Sequence, residues 1–475
     1  MSIDRGANPQ RLPLRETLDG LPPQWPDDPL PEIRALIDQS VKKIVVFDDD
    51  PTGTQTVHDV PVLTEHSVEA LRREMADDFP IFYILVNSRG LPVDRARTLN
   101  AKIAGNLVQA SQRTGKDFVL ISRSDSTLRG HYPAEIDSIA DAANLDYDGL
   151  IFTPFFLEGG RYTLNNIHYV VESEWLTPVG QTEFAQDPAF SFQESDIPRH
   201  IEEKTGGSIK ADDVTMVALD DVRTGGPARV SEIMSQVMNR TVVGVNAVSM
   251  RDIEVFVLGL LKTEGKRFIF RTAASLLRAL LGQEDRPLLT ASEIGADGEG
   301  GGLTIVGSYV PRTTGQLNHL LKNGAVTGIE VNVRNLLNQS QRSIEIRSIQ
   351  ERISDLLSDG RDVVAYTSRE LIAGKSAEDS LTIGNTVSQA LVEIASSLNV
   401  RPKYLIAKGG NTSSQIVTEA LGVRRAWALG QVYPGVPVWR LGQELKYKDM
   451  AYVVFPGNVG DDDALTQVVN TLRSS

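Results

Sequence analysis

Phe118-Val119-Leu120-Ile121-Ser122-Arg123-Ser124-Asp125-Ser126-Thr127-Leu128-Arg129-Gly130 passes from an apolar run straight into hydroxyls, a carboxylate and guanidiniums. Phe118 to Ile121 has the length and composition of a buried strand. A strand that opens into such a polar loop is how an α/β protein builds a ligand site, because ligands lie outside the carboxyl ends of parallel strands. Each arginine offers a planar fork matched to a carboxylate or phosphate. The octet Arg123 to Gly130 alone is equally compatible with a solvated turn, so its neighbours decide.

Outward from this segment, short β-rich runs alternate with amphipathic stretches. Ile44 to Phe47, Ile81 to Val86, Leu150 to Phe152, Met216 to Leu219, Val242 to Val245 and Phe268 to Phe270 read as further strands. Val93 to Arg113, ending before Gly115, and Ala134 to Ala143 carry helical spacing. Near 283–302 the sequence Ala296-Asp297-Gly298-Glu299-Gly300-Gly301-Gly302 has too little apolar surface to pack, which marks a linker. The alternation resumes with strands at Leu303 to Val306, Ile329 to Val333, Val363 to Tyr366, Tyr404 to Ala407 and Tyr452 to Phe455, and helices at Ile344 to Leu357 and Thr386 to Leu398. The expected fold class is α/β: two α/β domains, each a mostly parallel sheet flanked by helices, with a ligand cleft between them. The expected division is an extension at 1–40, a first domain at 41–282, the linker and a second domain at 303–475, since 475 residues exceed one ordinary core of ~250 to 300.

Composition excludes several classes. A net charge of -14, from 48 Lys+Arg against 62 Asp+Glu, argues against a nucleic-acid partner. No cysteine is present, which removes disulfides, thiolate catalysis and cysteine metal sites. The 6 histidines are scattered without ligand-like spacing, so no metal ligand set is assigned. No stretch approaches the ~20 apolar residues of a membrane span, and Met1 to Leu14 lacks a signal-type core. The expectation is a cytoplasmic protein without membrane or nucleic-acid partner, compatible with a homo-oligomer.

The first strand runs into Asp48-Asp49-Asp50-Pro51-Thr52-Gly53-Thr54, where three carboxylates crowd beside hydroxyls. Like charges so close need a partner or cation. One aspartate can take the proton of a substrate hydroxyl while another holds that hydroxyl or a magnesium ion; the plain alternative is a helix cap. Asn87-Ser88-Arg89-Gly90 follows the second strand toward the same edge. Gly159 to Tyr169 reads as a polar loop in which His168 is a structural histidine. In the second half, Gly307-Ser308, Lys408-Gly409-Gly410-Asn411-Thr412 and Pro456-Gly457-Asn458-Val459-Gly460 each follow a strand and can aim N–H groups at phosphate, with Lys408 adding a cation. Gly374-Lys375-Ser376 mimics a phosphate loop, but Arg369 stands where its first glycine belongs, so it reads as a helix start.

With these residues in place, the chain from Lys43 onward resembles the four-carbon acid sugar kinase family. The resemblance rests on Asp49-Asp50-Pro51-Thr52-Gly53 and, most specifically, on Asp125-Ser126-Thr127-Leu128-Arg129-Gly130. Gly160 to Thr163 with His168-Tyr169, and Thr182 to Ala185 before Asp187-Pro188, are similar to further signatures. It implies ATP and Mg2+ as cofactors and a small sugar acid as substrate. Asp50 is the implied base, and Asp50, Asp49 and Arg129 the catalytic set. Arg89, Arg123, Asp125, Ser126 and Thr127 join them in holding the acid. Ser308, Lys408, Gly409, Gly410, Asn411, Thr412, Gly457, Asn458 and Gly460 are the implied nucleotide residues. Lys408 and Asn411 replace the family's threonine and aspartate, the turn after Phe455 departs from its glycine pattern, and Pro51 stands where an aromatic is usual. Two other readings stay open. Asp48-x-Asp50-x-Thr52 resembles the motif of haloacid dehalogenase-like phosphatases, with Asp461-Asp462-Asp463 as late acids, and a non-catalytic sugar-acid sensor would keep only the first loop.

Overall fold

The computed structural model describes residues 9–296, 299–370, 372, 377–442 and 447–473. In chain order the strands are β1 Leu12–Pro13, β2 Lys43–Asp48, β3 Val60–Leu63, β4 Ile81–Leu85, β5 Phe118–Arg123, β6 Gly149–Thr153, β7 Arg161–Leu164, β8 Ile167–Glu172, β9 Trp175–Pro178, β10 Thr215–Val217, β11 Thr241–Val245 and β12 Phe268–Thr272. They continue with β13 Leu303–Val306, β14 Thr327–Val331, β15 Val363–Thr367, β16 Tyr404–Lys408, β17 Arg425–Tyr433, β18 Val436–Leu441 and β19 Ala451–Phe455. The chain forms two compact units: Met1–Asp49 with His66–Asp285, and Asp50–Glu65 with Arg286–Ser475.

In the N-terminal unit the sheet order is β10-β11-β6-β12-β5-β2-β4, every neighbouring pair parallel. Strands covered on both faces by helices need no polar alternation, which is why their sequences are continuous apolar runs. β2 is buried at every position. Among the flanking helices, Val93–Thr114 ends on Gly115 at φ +68, as the glycine predicts. Met250–Leu261 begins with a capping box between Ser249 and Asp252. The region read as a polar loop at Gly159 to Tyr169 is instead the β7–β8 hairpin. Its turn is Asn165-Asn166, both at positive φ, the geometry that matches the twist of tight hairpins. With β9 and β1 it makes a four-stranded antiparallel sheet. The strand expected at Met216 to Leu219 stops at Val217, because Leu219 opens a helix, Leu219–Arg223.

The expected N-terminal extension contributes a packed helix. Helix Leu30–Gln39 buries Leu30, Ile33 and Ile37, with Ile33 0% exposed, because its apolar positions recur at helical spacing.

The C-terminal unit has the order β3-β17-β18-β19-β16-β13-β15-β14. β19, β16, β13, β15 and β14 are mutually parallel, while β3, β17 and β18 join antiparallel. Its core includes Ile294, Val306, Leu320, Ile406, Val438 and Phe455. The expected strand at Ile329 to Val333 is shifted to Thr327–Val331, because Asn332 caps a new helix by accepting the Asn335 N–H. The expected linker is partly folded: Thr290 caps helix Ala291–Ile294, and Leu289, Ile294 and Ala296 enter the core. Residues 50–65, expected in the first domain, belong to this unit. β3 pairs with β17, the Trp439 indole donates to Thr54 Oγ1 at 2.8 Å, and the Gln55 amide donates to the Gly435 carbonyl at 2.9 Å. Gly374-Lys375-Ser376 lies outside the described residues. Among the described residues no helix is long and apolar enough to cross a membrane.

Candidate functional site

At the carboxyl ends of β2, β5 and β12, and in the turn after β4, charged side chains converge. Asp48 ends β2 and Arg123 ends β5; these strands pair in register with Asp48 opposite Arg123. The Arg123 guanidinium accordingly reaches Asp48 at 3.1 Å, both side chains being buried. Asp49, one residue on, is clasped by Arg89 through two bonds, 2.5 Å from Nη2 and 3.1 Å from Nε, and accepts the Ser124 hydroxyl at 2.5 Å. Arg89 is aimed by Asn87 at φ +53, and its N–H donates to the Asp49 carbonyl at 3.3 Å.

The loop after β5 closes on itself. Asp125 accepts the Thr127 N–H at 3.2 Å, the Thr127 hydroxyl and the Arg129 Nε at 2.9 Å. Arg129 also meets Asp187 at 3.3 Å and lies over the Phe184 ring at 5.1 Å. Burial alone would raise the Asp125 carboxyl, but Arg129 and Arg89 hold it well below the usual carboxylate range. His168 fixes the loop from beneath. Its Nε2 donates to the Ser126 carbonyl at 2.8 Å, which leaves Nδ1 to accept from Thr163 Oγ1 at 2.9 Å. Burial pushes its pKa down to about 4, so the ring is neutral and structural, as expected from sequence. Gly130, at φ +115, is the residue this crowding requires: a Cβ would lie 2.8 Å from Ser124 Oγ, 3.0 Å from Arg271 Nη2 and 3.4 Å from Asp49 Oδ2.

The N-terminal unit thus brings Asp49, Arg89, Arg123, Asp125, Thr127 and Arg129 together, with Ser126 half-buried in the same loop. Arg123 is committed to Asp48, whereas Arg89 and Arg129 keep 17% and 20% of their side chains accessible. Two members were not read from sequence. Arg271, in β12, sits opposite Ser122 in the register with β5, and its Nη2 donates to the Arg129 carbonyl at 3.2 Å. Glu135, in helix Ala134–Ala142, accepts the Ser88 hydroxyl. A charged residue directly after Phe268-Ile269-Phe270 was the available signal for Arg271, the same pattern as Arg123 after its own apolar run. A cavity of about 390 Å³ with mixed apolar and charged walls, including Leu36, Phe118, Phe268, Lys42, Asp117 and Lys266, lies at the amino ends of these strands, away from the charged cluster.

In the C-terminal unit Gly307-Ser308 follows β13, Lys408 to Thr412 follow β16, and Gly457 to Gly460 follow β19. β16 lies between the other two strands, so the three turns share one sheet edge. The Gly409 N–H donates to the Phe455 carbonyl at 2.8 Å, and Thr313 Oγ1 bridges Ser308 Oγ at 3.4 Å and the Gly457 carbonyl at 3.2 Å. Gly409 has φ +114, and a Cβ there would lie 3.1 Å from Ser308 Cβ. A Cβ at Gly307 would overlap the Thr412 hydroxyl, and one at Gly410 would overlap the Asp50 carboxylate. Asp50 therefore stands against these turns, within its own unit, and caps Pro51–Thr54 by accepting the Thr52 N–H at 2.9 Å.

Lys408 does not extend a cation into the turn. It is fully buried, donates to the Pro456 carbonyl and lies 4.1 Å over the Phe455 ring, and burial drives its pKa well below the usual value. Asn411 is exposed at the start of helix Gly410–Gln415, where the first N–H groups have no intrahelical partner. The Gln316 amide fastens the last turn through the Val459, Gly460 and Asp461 carbonyls at 2.9, 3.2 and 3.0 Å, and Arg312 reaches the Asn458 carbonyl at 3.4 Å. Neither was singled out in the sequence. Open N–H groups at side-chain-free bends fit a phosphate chain. Among the described residues no group of three or more His, Asp or Glu is arranged to hold a metal ion.

Comparison with known proteins finds two domain models in the same order, the first of which includes residues 50–65 that pack with the C-terminal unit. Residues 44–280 match the model of a sugar-binding N-terminal domain, and residues 303–465 that of a nucleotide-binding C-terminal domain. No functionally curated protein matches the chain. A Haemophilus influenzae protein of the DUF1537 family is similar in fold, with TM-score 0.60 at 18% identity over 90% of this chain and 100% of that one. A Salmonella typhimurium LT2 protein has TM-score 0.65 at 15% identity over 90% and 98%. Carrying the two domain models in this order, the chain belongs to the four-carbon acid sugar kinase family.

Proposed function

We propose that the protein transfers the γ-phosphoryl group of ATP, with Mg2+, to a hydroxyl of a small sugar acid. The observation that supports this most is the charged cluster at the carboxyl edge of the N-terminal sheet, inside the segment matched by the sugar-binding model. Arg89 and Arg129, the partly accessible guanidiniums, take the carboxylate. Asp49 and Asp125 orient them and, with Ser126, order the hydroxyls. Arg123 neutralises Asp48, so it acts as a positioning residue. Asp50 is the base, and the glycine turns with Ser308 and Asn411 hold the phosphates through N–H groups and hydroxyl, where most of the stabilisation in phosphoryl transfer arises. Mg2+ enters with the nucleotide, since it favours substrate phosphates over all-protein cages. Tyr309, 62% exposed directly after Ser308, offers a ring face to the base.

The test is ADP release over a panel of four-carbon and related sugar acids, repeated with Asp50→Asn. Turnover on at least one acid is expected, falling by about 10²–10⁴ in the variant. Unchanged turnover in the variant removes Asp50 as base. Binding of acids by the wild type without turnover or nucleotide binding would instead make the protein a sensor. The phosphatase reading has little to support it: Asp48, its nucleophile, is 1% exposed and paired with Arg123.

A further inference from the structure

We propose that Arg271 and Glu135 together receive one hydroxyl of the bound acid and so decide which acids the site accepts. The proposal rests on the sugar-acid reading above and extends it to two residues for which neither motif nor domain match provides a role. Both side chains are buried, Arg271 5% and Glu135 2% exposed. Each has one half committed: Arg271 Nη2 donates to the Arg129 carbonyl at 3.2 Å, and Glu135 Oε1 accepts from Ser88. The other halves face each other as a long ion pair that closes no hydrogen bond. Arg271 Nη1 and Glu135 Oε2 lack any hydrogen-bond partner and stand 3.8 Å apart, too far to bond directly.

Buried polar atoms are rarely left so, and a facing donor and acceptor call for a third group. A hydroxyl is the group that suits the pair in either protonation state. It donates to an ionised Glu135 while accepting from Arg271, or accepts from both when Glu135 is protonated. Burial and the nearby Asp49 charge push Glu135 upward while Arg271 opposes them. The pair adjoins the rest of the cluster at Gly130, where the absent side chain lets Arg271, Ser124 and Asp49 converge. Tyr132 supports the arginine from one side, its ring 5.5 Å from the guanidinium.

The experiment measures binding of 2,3,4-trihydroxybutanoates (erythronate and threonate) and the three dihydroxybutanoates that each lack one hydroxyl. Calorimetry is run on the wild type, Glu135→Gln, Glu135→Met and Arg271→Met. The wild type is expected to reject one dihydroxy analogue by about tenfold or more, since a site built around a hydroxyl leaves buried partners unpaired when it is missing. Both methionine variants should bind that analogue and its parent within about threefold of each other, with Glu135→Gln intermediate. The KM for the parent acid should rise more than kcat falls. Unchanged discrimination in the variants overturns the proposal, as does an equal loss of all acids in Arg271→Met, which would make Arg271 a carboxylate receptor. If the methionine variants do not fold, Glu135→Gln decides by the same comparison, and wild-type-like discrimination in it overturns the proposal. A wild type that binds no acid overturns both this and the parent reading, whereas turnover with unaltered discrimination overturns this one alone.

Discussion

Asp49 and Gly409 hold matching places in the two units, each directly after a central parallel strand, and they shape their surroundings by opposite means. Asp49 gathers Arg89, Ser124 and the edge of Arg123 around one carboxylate. Gly409 contributes no side chain, and its φ of +114 turns the backbone so that Ser308 can approach. One region is electrostatic and held by side chains, with nearly every charge answered from within the protein. The other is a surface of bare backbone. An ordered ion-pair network tolerates loss of a member poorly, because the partner is left buried and uncompensated, whereas a bare turn is sensitive mainly to added bulk.

The largest expected effect breaks the first region. Asp49→Ala leaves Arg89 with only its longer contact to Asp125 at 3.6 Å and should lower stability by about 3–5 kcal/mol in chemical denaturation. A shift below about 1 kcal/mol would show that the network is held by its backbone instead.

Acid should also separate the units. His168 and His200 are buried and neutral, with pKa values pushed down to about 4 and about 3, in both cases chiefly by burial. A depressed pKa gives stability that is present above the unfolded value near 6.5 and is lost as pH falls toward the folded one. Each histidine should therefore remove of order 3 kcal/mol from the N-terminal unit on acidification. His200→Phe, at a position flanked by Phe152 and Phe192, should flatten part of that slope. An acid limb identical to wild type would contradict the neutral-ring assignment.

Smaller effects probe the bare turns. Gly307→Ala overlaps Thr412 and should cost about 1–3 kcal/mol, with weaker ATP binding by calorimetry; retained affinity would show that the bend does not need its glycine. Tyr309→Ala should weaken ATP binding by roughly 1 kcal/mol, or about fivefold, with Phe restoring it. Loss of affinity in Tyr309→Phe would point to the hydroxyl in place of the ring.

The contrast also explains what could be read beforehand. The parallel strands were legible because burial on both faces leaves unbroken apolar runs inside strands such as Lys43–Asp48 and Tyr404–Lys408. The antiparallel strands were not: Arg161–Leu164 and Ile167–Glu172 mix polar and apolar residues, and only Asn165-Asn166 marked their turn. The Asp-Ser-Thr-Leu-Arg-Gly segment showed itself because its contacts are local, Asp125 bonding Thr127 and Arg129. Arg271 and Glu135 meet their partners only through sheet register and helix placement, across separations no local pattern encodes. Lys408 illustrates the reverse failure. A lysine beside two glycines looks like a phosphate ligand, and nothing in the local sequence reveals that Pro456 and Phe455 enclose it.

Gly226 carries a last implication. Its φ of +66 and missing Cβ leave a notch that the Trp25 ring occupies, while Arg223 donates to the Pro22 carbonyl at 2.6 Å and Arg251 grips Asp28 at 2.8 Å. The arm before β2 is therefore stitched to distant helices as a keystone is to its arch. A fragment trimmed to the matched sugar-binding segment, starting at residue 44, would lack the indole, the three buried anchors of helix Leu30–Gln39 and the lysine that opens β2. Anyone expressing that half alone should begin it well upstream.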